Sequence, residues 1–166
     1  GFDGQSYSQL SSLTRSCLNL QNYPIAISDA TGAIVSGHPI ICGGLSEGSH
    51  HSECYHHSKD TNSWTFLTNM STIRAYSASV PVNDKLLVLG GWDGDNVLAT
   101  SEYVSPDGDA SQPGPDLPGP RDSHCAVKLA NGHVMLLGGV PGKKSVIILH
   151  PDTEEVEQSL PPLTFF

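Results

Sequence analysis

The chain has 166 residues, with 17 Gly, 12 Pro and only 15% charged residues, a balance that favours short strands and turns over long helices. Eight Lys+Arg stand against seventeen Asp+Glu, for a formal charge of −9, and the one basic cluster is Lys143-Lys144, so a nucleic-acid partner is excluded as an expectation. No apolar run approaches the roughly 20 residues that a helical membrane span needs, and 37% hydrophobic residues suffice for a modest single core.

In chain order, Gly1-Phe2-Asp3-Gly4 lines up with Gly91-Trp92-Asp93-Gly94 and starts an incomplete repeat. Ile40-Ile41-Cys42-Gly43-Gly44 ends the first apolar run that closes on a Gly pair. Glu53-Cys54-Tyr55 then reads as a third strand and Trp64-Thr65-Phe66-Leu67 as a fourth. Tyr76 to Val82, Asn83-Asp84 and Lys85 to Leu89 read as a hairpin that ends on Gly90-Gly91, with Glu102-Tyr103-Val104 to follow. Cys125 to Leu129, Asn131-Gly132 and His133 to Leu137 repeat the hairpin before Gly138-Gly139, and Val146 to Leu149 follows. The three Gly pairs are 47 and 48 residues apart. Periods of that length built from short strands indicate a propeller or a similar array, because one unit cannot bury both of its faces alone.

These residues resemble the kelch repeats. The best copy carries Gly43-Gly44, Cys54-Tyr55, Trp64, Met70 and Arg74. The next keeps Gly90-Gly91, Glu102-Tyr103 and Arg121 but has Gln112 at the Trp position, the last keeps Gly138-Gly139 with Gln158 there, and the first has Ile27 where Arg is expected. The resemblance implies an all-β fold, a kelch-type β-propeller segment of about three and a half four-stranded antiparallel blades over residues 1–166. The expected units are a partial blade at 1–22 and blades at 23–70, 71–117 and 118–166. Such a segment is expected to be part of a longer propeller, the alternative being a half-propeller completed by dimerising.

The candidate working surface is the rim that gathers the loops after each Gly pair and the approaches to the first strands. Trp, Tyr and Arg dominate interface energies, so Arg74, Tyr76, Trp92 and Arg121 lead the partner-binding candidates, with Asp93, Asp95, Asn96, Asp122 and His124 beside them. For the two arginines, recurrence in successive repeats fits blade-to-blade hydrogen bonding equally well. As contact residues they would tolerate charge reversal without loss of thermal stability.

His50, His51, Cys54, His56 and His57 are metal-ligating types, but alternation along a strand separates Cys54 and His56 from His57, so no metal site and no cofactor are expected. The Trp92-Asp93-Gly94-Asp95-Asn96 loop lacks the terminal Glu of a calcium loop. Cys42 and Cys54 fall on neighbouring strands and are a possible disulfide, the alternative being buried free thiols suited to a reducing cytosol. The sequon Asn69-Met70-Ser71 leaves the compartment open. The resemblance implies a non-enzymatic module that binds a protein or peptide, as in substrate receptors of cullin-type ubiquitin ligases. A secreted or cell-surface kelch scaffold is the alternative, and a copper-oxidase-like propeller enzyme is a minor one.

Overall fold

The computed structural model describes residues 8–10, 17–142 and 144–158, with side chains for 20–142 and 144–157. The expected repeat start at Gly1–Gly4 lies outside the described residues, as does the side chain of Gln158. Two short strands, β1 (Ser8–Leu10) and β2 (Cys17–Asn19), pair at the start.

Three four-stranded antiparallel sheets follow. The first holds β3 (Thr31–Val35), β4 (His38–Cys42), β7 (Glu53–Ser58) and β8 (Ser63–Asn69), and a two-stranded hairpin, β5 (Leu45–Ser46) and β6 (Ser49–His50), grows from its Gly-Gly loop. The second holds β9 (Ala78–Val82), β10 (Lys85–Leu89), β11 (Ser101–Val104) and β12 (Gln112–Pro113). The third holds β13 (Cys125–Lys128), β14 (Val134–Leu137), β15 (Val146–His150) and β16 (Glu155–Gln158). Each is a meander in which neighbours in sequence pair in space, and β9 lies between β3 and β13, so the first strands of the blades gather on one side.

Blade faces stack. Val35, Ile40, Cys42 and Cys54 of the first blade bury against Leu86, Val88 and Val104 of the second. The other face of the second blade, with Val80, Val82, Leu87 and Leu89, buries against Val134, Leu136, Ile147 and Leu149 of the third. The second blade is therefore buried on both faces, and its β10 reads as the nearly continuous apolar run Leu-Leu-Val-Leu. In the third blade, Val127, Met135 and Leu137 occupy the places that Val80, Leu87 and Leu89 fill in the second, and Val127 is exposed.

The Gly pairs sit where adjacent blades touch. Gly90 has φ +57°, and a Cβ there would collide with the carbonyl oxygen of Arg121. Gly43 stands in the same relation to Arg74. The N–H of Gly44 donates to the Arg74 carbonyl at 2.8 Å and that of Gly91 to the Arg121 carbonyl at 2.9 Å, which ties each blade to the next.

The first strand of the second blade begins at Ala78 rather than Tyr76, because Tyr76 has φ +56°. Asp29 and Ser123, the matching residues of the other two blades, have φ +55° and +53°. Tyr76 N–H donates to the Asp29 carbonyl and Ser123 N–H to the Tyr76 carbonyl, a chain of inter-blade hydrogen bonds at the rim.

Candidate functional site

The rim is built from backbone pairs repeated in each blade: Ser28 with Leu45, Ala75 with Trp92, and Asp122 with Val140. On this frame the hairpin β5–β6 leans towards the second blade and sets the His50 ring edge-on to Trp92, with centroids 4.7 Å apart. The Tyr76 ring lies 6.5 Å from Trp92 on centroids. All three rings are half-buried.

Asp93, Asp95 and Asn96 form the tip beside Trp92. The Asp93 carboxylate accepts the N–H of Asn96 at 2.7 Å and of Asp95 at 2.9 Å, and these bonds hold its pKa below the usual carboxylate range. Asp95 and Asn96 are exposed, and Asp122 is half-buried at the foot of the third blade. Tyr76, Trp92, Asp93, Asp95, Asn96 and Asp122 thus all lie at the rim. His50, weighed in the sequence only as a metal ligand, joins them through its contact with Trp92, which a reading confined to adjacent residues does not reveal.

Arg74, Arg121 and His124 are placed differently, and for the two arginines the burial and hydrogen bonding fit the blade-to-blade alternative rather than a rim contact. They are 1%, 5% and 8% exposed, inside the blade junctions. Arg74 makes five hydrogen bonds: Nη1 to the carbonyls of Gly90 and Thr100, Nη2 to Thr100 Oγ1, and Nε and Nη2 to Glu102 Oε1 at 3.1 and 3.0 Å. Burial raises the Glu102 pKa, but the Ser71 N–H, the Ser111 hydroxyl and Arg74 outweigh it and hold this carboxyl below its ordinary value. Charge reversal at Arg74 would bury like charges side by side, so it would unfold the blade rather than weaken capture alone.

Arg121 repeats only part of this pattern. Its Nη1 donates to the Gly138 carbonyl and to Ser145 Oγ, both at 2.9 Å. In the sequence Glu102 stands out as a landmark beside Tyr103, but nothing there pairs it with Arg74. The available indication was that both occur in one repeat, whereas the next repeat has Arg121 with Ile147.

The histidine-rich stretch disperses. His51 pairs with Glu53 at 3.1 Å, His56 lies beside His38, and His57 packs on Trp64, which with Tyr23 and Tyr55 forms an aromatic cluster. Among the described residues no three His, Cys, Asp or Glu side chains are grouped to hold a metal ion. Cys42 and Cys54 face each other across β4 and β7 and are joined as a disulfide, with Cα atoms 4.1 Å apart. No described helix is long and apolar enough to cross a membrane.

The kelch motif matches residues 73–118, which span Arg74, β9 to β12, Glu102 and Leu117. Residues 73–118 carry the kelch motif, and the described sheets fold as a kelch-type propeller segment. Curated relatives agree: the spermatocyte protein spe-26 of Caenorhabditis elegans is 33% identical over 82 residues, 49% of this chain and 14% of that protein. The kelch repeat-containing protein kel-10 of the same organism is 28% identical over 94 residues, 55% of this chain and 16% of that protein. The solved structure of YjhT superposes with a TM-score of 0.83 at 16% identity, over 97% of this chain and 60% of that one, a likeness of fold. The aligned kelch segment is thus a small part of each curated relative.

Proposed function

We propose that this kelch segment is a non-catalytic interaction module that captures a protein or peptide segment across the Gly-Gly rim. The observation that carries the reading is the His50–Trp92–Tyr76 cluster, in which side chains from two blades form one half-buried aromatic surface. Large rings of this kind anchor interfaces when a partner completes their burial. Asp93, Asp95 and Asp122 around it, in a chain of net charge −9, favour a partner segment bearing Lys or Arg.

A photo-crosslinking residue at Trp92 should capture the partner, whereas the same residue at exposed Lys59 should not. Equal capture from both positions sinks the rim reading. In a longer protein this module would serve as the substrate receptor of a cullin-type ubiquitin ligase. Co-purification of a cullin with the full-length protein tests that finer step.

The Cys42–Cys54 disulfide favours a second reading, a secreted or cell-surface scaffold. Thiol counting on protein taken from its native source separates the two, because a cytosolic receptor would keep both thiols reduced. Under either reading the outer face of the third blade, with Val127, Met135 and Leu137, is where a further blade or a second copy would stack.

A further inference from the structure

Asn69-Met70-Ser71 is the one Asn-X-Ser/Thr triplet of the 166 residues, and its central Met is compatible with modification, which a Pro would block. β8 ends on Asn69, which pairs with Glu53 of β7. The residues on either side, Thr68 and Met70, are buried, whereas Asn69 is exposed, so strand alternation turns its amide outward. That amide makes no hydrogen bond among the described residues. Ser71 is exposed too, and its backbone N–H donates to Glu102 Oε2 at 2.6 Å and to Ser111 Oγ at 3.1 Å. The backbone of the triplet is therefore tied to the second blade, while its acceptor side chain is left to solvent.

β8 is also the outermost strand of the first blade, because the sheet order is β3-β4-β7-β8. Its far edge pairs with no described strand, and Phe66 on it is 50% exposed. A bare strand edge beside an apolar ring is a template for association, and a bulky, hydrated group next to it blocks that contact. The same blade carries the Cys42–Cys54 disulfide between β4 and β7, a bond of oxidising compartments. The route that leads a chain into such a compartment is also the one on which sequons receive glycans. Two independent features of one blade, a disulfide and an open acceptor amide, thus call for the same route.

We propose that Asn69 carries an N-linked glycan, which covers the free edge of β8. In the transfer, the Asn69 amide nitrogen bonds to the anomeric carbon of an oligosaccharide delivered as a lipid-linked diphosphate by a glycosyltransferase of the secretory route. The bond from that carbon to the diphosphate oxygen breaks and the lipid diphosphate leaves with the electron pair. The amide gives up one proton to a base of the transferase, and nothing is oxidised or reduced. The proposal rests on the secreted or cell-surface reading, and it is independent of what the rim captures.

The test is peptide mass spectrometry of the full-length protein from its native source, digested with and without peptide-N-glycosidase in heavy-oxygen water. Conversion of Asn69 to an Asp that carries heavy oxygen is expected only where the enzyme was added. In a host that secretes the protein, Asn69→Gln should lose one glycan step on a gel and Ser71→Thr should keep it. The state of Cys42 and Cys54 is read in the same native-source digest. Oxidised cysteines with an unmodified Asn69 overturn the glycan and leave the extracellular reading standing, whereas free thiols with an unmodified Asn69 overturn both. A step retained in Asn69→Gln also overturns the proposal. If that variant does not fold, the native-source digest decides alone.

Discussion

The second and third blades place an arginine at the same point and treat its charge in opposite ways. Arg74 is neutralised by Glu102 and makes five hydrogen bonds, whereas among the described residues Arg121 keeps two and forms no ion pair with a carboxylate. Burial lowers the pKa of both, and at Arg74 the neighbouring Glu102 offsets part of that. The first blade sharpens the lesson, because Ile27 stands at this position and the adjoining backbone pair Ser28–Leu45 still forms. The repeat therefore reuses the backbone at this place, and in the second and third blades the Arg carbonyl receives the N–H of the preceding Gly pair. The side chain is free to differ, and what surrounds it decides whether it is a strut or an unmatched charge.

Breaking the strut should have the largest effect. Glu102→Ala leaves Arg74 buried and unpaired and should cost about 3–5 kcal/mol by denaturant unfolding. Arg121→Met gives up two hydrogen bonds but removes an uncompensated charge, and should cost about 1–2 kcal/mol. Equal costs would erase the distinction between the blades.

Acidification gives the next effect. Burial, helped by the neighbouring Arg121, lowers the His124 pKa to about 4 from 6.5. The unfolded chain therefore takes up a proton that the folded chain refuses, and stability should fall from pH 6.5 down to about 4, by about 3 kcal/mol in all. The Glu102 contribution runs in the same direction, because its pKa too is lower in the fold than in the unfolded chain. It is complete above the ordinary carboxylate pKa and disappears as pH falls through the lowered value in the fold. A His124→Leu chain should keep only this second, more acidic loss, and an unchanged profile would remove His124 from the account.

Gly90→Ala tests the shared backbone role. It places a Cβ at positive φ against the Arg121 carbonyl and should cost about 1–3 kcal/mol. The smallest stability change is expected at the rim, where Trp92→Ala loses an edge contact with His50 worth about 1 kcal/mol. Partner capture should nevertheless fall at least tenfold, and retained capture would move the interface elsewhere.

The all-β architecture was legible because its causes are local. A Gly pair after an apolar run, a two-residue turn and period-2 alternation each act within a few residues, and their recurrence reports stacked sheets. The candidate site was legible only in part. Trp92 and the Asp93 turn stand out in the sequence, but His50 reaches Trp92 from another blade, and Arg74 meets its carboxylate 28 residues downstream. An arginine ahead of a strand reads the same whether it points to solvent or into a junction, so Arg74 and Arg121 could not be told apart from rim contacts.

The sequence by itself therefore determined the repeat period, the antiparallel sheets and the places where only glycine fits, since each follows from short-range sterics and hydrophobic alternation. Only the tertiary structure decided which charges are buried, which are matched and which rings share a surface. Those properties depend on how one blade face meets the next, and solvent exclusion at the junction, rather than residue type, sets their energy.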